Sequence, residues 1–153
     1  MTRYCLDTSA YIRFLRGDAA TVDAIDRASW IGFPAIALGE LYTGYSLTGN
    51  RSGELRRMRD FLAHPVVEII AADDKVARAY GRFVAELRKA GTPLPSNDVW
   101  IAACAARTSS VVLTHDAHFT RIARIGCELL GSSPEAATSD RPRGSGRGRL
   151  GAP

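Results

Sequence analysis

At 153 residues and 46% hydrophobic side chains, the chain has the size and apolar content of one domain with one core. It holds no apolar run long enough to span a bilayer and no signal-peptide core near Met1, so membrane and secreted classes are set aside and the cytoplasm is the expected compartment. The formal charge of +4 fits a polyanionic partner, and three cysteines without C-x-x-C spacing argue against a disulfide framework or a zinc site.

Arg3 to Leu6 is a short apolar run that ends at Asp7. Trp30 to Ala35 is a second strand candidate, followed directly by a helical segment, IALGELYTGY, that carries Glu40. In Ser52 to Ala63, Leu55, Met58 and Leu62 form an apolar stripe while Arg56, Arg57 and Arg59 face away. Together with Arg51 they make the densest basic cluster, suited to RNA phosphates or to an acidic partner segment, or else simply a solvated helix face. Val66 to Ile70 and Val111 to Thr114 are β-branched runs that predict strands covered on both faces.

Between them, Val76, Tyr80, Phe83 and Leu87 mark one buried face of a helix over Asp73 to Lys89. Ser96 and Asn97, ahead of Asp98 and the run VWIAACAA, read as a capped helix start, with Asn97 as the cap. On that helix Asp98, Ile101, Ala102 and Ala105 share a face. Cys127 to Leu130 is a weaker fifth strand. Strands alternating with helices predict βαβ units and a three-layer α/β/α domain with a mostly parallel, roughly five-stranded sheet. Residues 1–130 form this domain. From Gly131 to Pro153 Gly, Ser, Pro and Arg dominate and a disordered tail is expected; it supplies +2 of the net charge.

Ligands of open α/β sheets bind beyond the carboxyl ends of the strands. Asp7 ends the first strand and Asp116 lies two residues after the fourth; Glu40 and Asp98 stand on helices that can reach the same crevice. Four converging carboxylates repel in a low-dielectric cleft unless a hard divalent cation, Mg²⁺ or Mn²⁺, neutralises them. Thr8, Ser9 and Thr114 can each hydrogen-bond a scissile phosphate or a carboxylate, or cap a helix. His115 and His118 flank Asp116 and read as exposed bystanders.

The stretches LDTSAYI, GELYTG, NDVWIAACA and LTHDAHF, in that order and spacing, resemble the signature stretches of PIN domains, and those of VapC-type toxins most closely. The resemblance covers about residues 1–130. It implies a parallel sheet flanked by helices, Mg²⁺-dependent endoribonuclease activity with Mn²⁺ as a substitute, and the toxin role in a type II toxin–antitoxin system. Carried over, Asp7, Glu40, Asp98 and Asp116 are the catalytic acids, with Asp7, Asp98 and Asp116 on the metal. Thr8, Ser9, Thr114 and Arg56 are candidates for binding substrate. The partners implied are RNA, a cognate antitoxin and a second copy of the chain as homodimer. An inhibitor helix covering apolar rim residues Leu41, Tyr42 and Leu94, with an arginine among the acids, is the expected mode of neutralisation.

Four other readings stand against this one. A haloacid-dehalogenase-type phosphatase needs a second aspartate where Ser9 stands, and fails there. A flap nuclease of the wider superfamily would carry more acids and helical insertions. A housekeeping PIN-domain ribonuclease, or a non-catalytic RNA-binding module on the same fold, remains the alternative to the toxin.

Overall fold

Three consecutive residues of the first strand, Tyr4, Cys5 and Leu6, are all buried, so both faces of the sheet are covered at its centre. Cys5 donates its thiol to the Ile101 carbonyl at 3.8 Å, which turns Cys5 toward one helical layer and its neighbours toward the other. The computed structural model describes residues 2–49 and 52–131. Arg51 and the tail beyond Gly131, for which a basic contact and disorder were expected, lie outside the described residues.

The elements run β1 (Arg3–Leu6), α1 (Thr8–Leu15), α2 (Ala19–Asp26), β2 (Trp30–Pro34), α3 (Ala35–Leu47), α4 (Ser52–Leu62), β3 (Val67–Ile70), α5 (Asp74–Lys89), α6 (Ser96–Thr108), β4 (Val111–Thr114), a 3-10 helix (Ala117–Arg121) and β5 (Cys127–Leu129). The five strands form one wholly parallel sheet in the order β3-β2-β1-β4-β5. This is the expected PIN-like α/β fold. The order reverses at β1: the chain first builds outward through β2 and β3, then crosses back to add β4 and β5. Leu6 pairs with Leu113. The carboxyl ends of β1 and β4 therefore flank the topological switch point, where open α/β sheets place their ligands.

One helical layer packs Tyr11 of α1 against Phe33 of β2 and Phe61 of α4, each with ring centroids 5.3 Å away and edge-to-face. Such pairing adds about 0.5–1.5 kcal/mol to the area each ring buries. The other layer holds α6, whose Ile101, Ala102, Ala103, Cys104 and Ala105 are all buried, with α5 packed beside it. Small residues on α6 let its backbone approach the sheet closely.

Several sequence expectations need correction. Val66–Ile70 was expected to be covered on both faces, but β3 is an edge strand: Glu68 and Ile69 are exposed, and Glu68 accepts from Trp30 Nε1 at 3.0 Å. In α5 the buried stripe is Val76, Ala79, Phe83 and Leu87. Tyr80 is only half-buried and stacks on Trp100 of α6, centroids 4.0 Å apart. The α6 cap is Pro95, which offers no capping side chain; Asn97 is inside the helix and turns its amide elsewhere. Cys5 and Cys104 are buried free thiols and Cys127 is half-buried.

Candidate metal centre

Asp7 follows β1 and caps α1. Its Oδ1 accepts from the Ala10 amide at 2.8 Å, so the chain turns from strand to helix around this carboxylate. Ser9 Oγ reaches both of its oxygens, at 2.8 and 3.0 Å, and Thr114 Oγ1 donates to Oδ2 at 2.5 Å. The same two hydroxyl oxygens accept backbone N–H groups from the loop after β4: Ser9 from His115 at 3.1 Å, Thr114 from Asp116 at 2.9 Å. Ser9 and Thr114 thus stitch the end of β1 to the segment that carries Asp116. Asp7 is buried, and burial raises its pKa above the usual carboxyl value. The hydrogen bonds from Thr114, Ala10 and Ser9 pull it back, and the charge of Asp98 pushes it up again.

Glu40 projects from α3 and is held from two sides. Thr8 donates its hydroxyl to Oε2, and Asn97 donates its side-chain amide to Oε1 at 2.9 Å. Asp98, in the first turn of α6, accepts from His118 Nδ1 at 3.1 Å. Its pKa is also raised, first by burial and then by the nearby charges of Asp116 and Glu40, against the lowering effect of the His118 hydrogen bond. Asp116 caps the 3-10 helix by accepting the His118 amide at 2.9 Å on Oδ1. Its Oδ2 lies 3.3 Å from His118 Nδ1.

All four acids predicted from the sequence are at this one end of the sheet. The tightest grouping is Asp98, Asp116 and His118, whose ligand atoms all lie within 4.8 Å of one another. Asp7 and Glu40 surround that trio without joining it. A hard divalent ion fits such a set: oxygen donors predominate, and two of the carboxyls, Asp7 and Asp98, are held above their ordinary pKa in a way that a cation would relieve.

The two histidines are not the exposed bystanders expected. His118 bridges two of the acids. His115 has only 7% of its side chain exposed, and its Nε2 lies 2.8 Å from Thr21 Oγ1. Thr21 gives its own hydroxyl proton to Asp18 at 2.6 Å, so His115 is the donor in that pair. Its Nδ1 is buried with no partner among the described residues. Asn97, read as a cap, is a Glu40 holder. His118 and Asn97 are thus the site residues that sequence reasoning passed over, although each stands within two positions of a predicted acid.

Arg56 lies exposed on α4, whereas its neighbour Arg57 lines a cavity of about 430 Å³ with Arg16, Thr8 and Glu40. This hollow between α1, α3 and α4 adjoins the acids. Of the expected apolar rim, Tyr42 is exposed, Leu41 is buried in the cavity wall, and Leu94 sits in a separate hollow with Tyr80.

The PIN domain profile matches residues 4–125. Ribonuclease VapC4 of Mycobacterium tuberculosis is 32% identical over 117 residues, which cover 74% of this chain and 86% of that protein. Ribonuclease VapC1 of Haemophilus influenzae is 27% identical over 124 residues, 78% of this chain and 91% of that protein. Among solved structures, DNA-bound VapBC from Salmonella typhimurium superposes with a TM-score of 0.74 at 26% identity, covering 84% of this chain and 98% of that one. VapBC2 from Rickettsia felis, bound to a promoter DNA fragment, gives 0.75 at 23% identity over 84% and 99% of the two chains, a likeness of fold. A profile spanning nearly all of the sheet and every one of the four acids leaves one assignment: the chain belongs to the PIN-domain family, alongside the VapC ribonucleases.

Proposed function

We propose that this protein is a divalent-metal-dependent endoribonuclease and the toxin of a type II toxin–antitoxin pair. The observation that carries the reading is the convergence of Asp7, Glu40, Asp98 and Asp116 at the β1/β4 switch point, in a chain related to proteins named as VapC ribonucleases. Asp7, Asp98 and Asp116 would hold the ion, with Glu40 beside them. When bound, Mg²⁺ or Mn²⁺ would acidify a water and neutralise charge on the phosphate and leaving oxygen.

The protein's own groups do the rest. Ser9 and Thr114 fix the rotamer of Asp7, and Thr8 and Asn97 fix Glu40, so neither carboxylate must reorganise when substrate arrives. Glu40, held beside the ion by Thr8 and Asn97, would accept the proton of the attacking water. The water oxygen bonds to phosphorus, the 3′-oxygen leaves and takes up a proton, and the products carry 5′-phosphate and 3′-hydroxyl ends. Thr8, Ser9 and Thr114 serve substrate through the carboxylates they hold. Arg56, exposed on α4, and Arg57 at the adjoining cavity would meet phosphates. The crevice favours a single strand, whose backbone can enter it.

The partner is a small antitoxin chain, a reading supported by the VapBC structures among the structural neighbours; a cationic side chain on it would pair with the acids. The protein is expected to act as a homodimer. Purified protein should cleave single-stranded RNA, lose activity in EDTA and regain it with Mg²⁺ or Mn²⁺. Asp116→Asn should reduce the rate by at least about 100-fold. Full activity in EDTA would overturn the metal reading. Expression alone should arrest growth, and co-expression of a neighbouring short reading frame should relieve it. An active enzyme that is harmless alone would leave the housekeeping ribonuclease in place of the toxin.

A further inference from the structure

His118 is tied to the acid trio from two directions. Its backbone amide donates to Asp116 Oδ1 at 2.9 Å, and its Nδ1 lies 3.1 Å from Asp98 Oδ2 and 3.3 Å from Asp116 Oδ2. The next residue, Phe119, is 1% exposed and anchors the 3-10 helix in the core. The fold thus brings the His118 ring, 40% exposed, against both carboxylates. Asp116 has one oxygen committed to backbone and the other turned to the imidazole.

The Nδ1, Asp98 Oδ2 and Asp116 Oδ2 atoms form a small triangle. In an octahedral shell with bonds of roughly 2.1 Å, adjacent ligand atoms stand about 3 Å apart. Both edges that meet at Nδ1 already have close to that length. A hydrogen bond from an N–H explains the same distances without an ion. A ligand differs in presenting a lone pair at Nδ1 and keeping its proton on Nε2.

We propose that His118 Nδ1 is a direct ligand of the ion held by Asp98 and Asp116, and that this nitrogen tilts the site toward Mn²⁺ over Mg²⁺. The inference rests on the metal-site reading above. Mg²⁺ prefers oxygen ligands and retains its waters, whereas first-row transition ions accept imidazole readily, so one nitrogen in the shell separates the two.

The test uses the full-length protein freed of metal and reloaded with Mn²⁺ alone. Electron spin-echo envelope modulation reads whether bound Mn²⁺ couples to ¹⁴N, and competition titration gives the Mn²⁺ to Mg²⁺ affinity ratio. Wild type should show ¹⁴N coupling. His118→Gln should lose it and bind Mn²⁺ at least about tenfold more weakly, the lower end of what losing a ligand-supporting group costs. His118→Asp, which replaces the nitrogen by oxygen, should also lose the coupling but retain binding, with the ratio shifted toward Mg²⁺. Thermal unfolding of the metal-free variants checks their fold; should His118→Gln fail to fold, the wild-type and His118→Asp spectra decide alone. Mn²⁺ bound to wild type without ¹⁴N coupling, or coupling that persists in the variants, overturns the role of His118 while leaving the metal site intact. Failure of wild type to bind Mn²⁺ or Mg²⁺ at all overturns the site itself, and the proposed function with it.

Discussion

Asn97 donates its side-chain amide to Glu40 at 2.9 Å, joining the first turn of α6 to the middle of α3 across 57 positions of sequence. Asn97→Ala removes this bond, leaving Glu40 held by Thr8 alone. A hydrogen bond to a charged group contributes about 1.5–3 kcal/mol when buried, and this one is only part-buried, so the stability loss should fall at or below the lower end. The effect on cleavage should be larger in proportion, because Glu40 gains rotamers it lacks in the wild type. A rate loss of about tenfold, with a small shift in the urea midpoint, is the expected outcome.

Asp98→Asn should stabilise the metal-free protein while abolishing cleavage. Burial and the charges of Asp116 and Glu40 hold the Asp98 carboxyl above 3.8, so folding favours its protonated form. A carboxyl raised in the folded state binds more protons there than in the unfolded chain. Its unfavourable contribution is absent well below 3.8 and grows as pH rises through the raised value. The gain in Tm of Asp98→Asn over wild type should therefore be smallest near pH 3.5 and widen toward neutrality. Asp7 behaves in the same direction. Saturating Mn²⁺ should reverse the order of the two proteins near neutral pH. A difference that stays flat with pH would show that the charge of Asp98 is not what opposes folding.

Thr21→Val should cost about 1–3 kcal/mol, because it leaves the buried Nε2–H of His115 without an acceptor. Thr21→Ser keeps the hydroxyl and should recover most of the loss. Urea unfolding of the pair measures this directly. Equal stability of the valine and serine variants would mean that the His115 contact is dispensable.

Removal of residues 131–153 should leave a folded, active enzyme. The buried core of the described residues lies between Tyr4 and Ile122. The net charge falls from +4 to +2 on truncation, since the segment holds four arginines and two acids. If these arginines touch RNA, the slope of log affinity against log salt should flatten by about 0.7 for each phosphate that the truncated chain leaves unneutralised. An unchanged slope assigns the segment no part in binding.

The four acids and the parallel sheet were legible because both depend on local patterns. An apolar run followed within two residues by an acid puts that acid at a strand's carboxyl end, as with Asp7 after β1 and Asp116 after β4. Roles set by distant contacts were hidden. Asn97 beside a helix start has the local signature of a cap, and only the position of Glu40 makes it a holder instead. Val67 to Ile70 has the same apolar composition at the edge of a sheet as at its centre; the strand order decides which. His118 stands two positions after Asp116, but that spacing alone does not turn its ring toward Asp98, which is 20 positions away.

Asp7 and Thr114, bonded at 2.5 Å, are separated by 107 positions. The two halves of the site therefore lie near opposite ends of the folded part. A chain emerging from the ribosome exposes Asp7, then Glu40, long before β4 exists to pair with β1. Until that pairing forms, Asp7 has no Thr114 to hold it, and Asp98 has neither Asp116 nor His118 beside it. On the proposed site, the nascent protein would be unable to cut the message from which it is being read until synthesis had passed the last acid. Strand order acts as a timer, delaying activity until nearly the whole domain has been made.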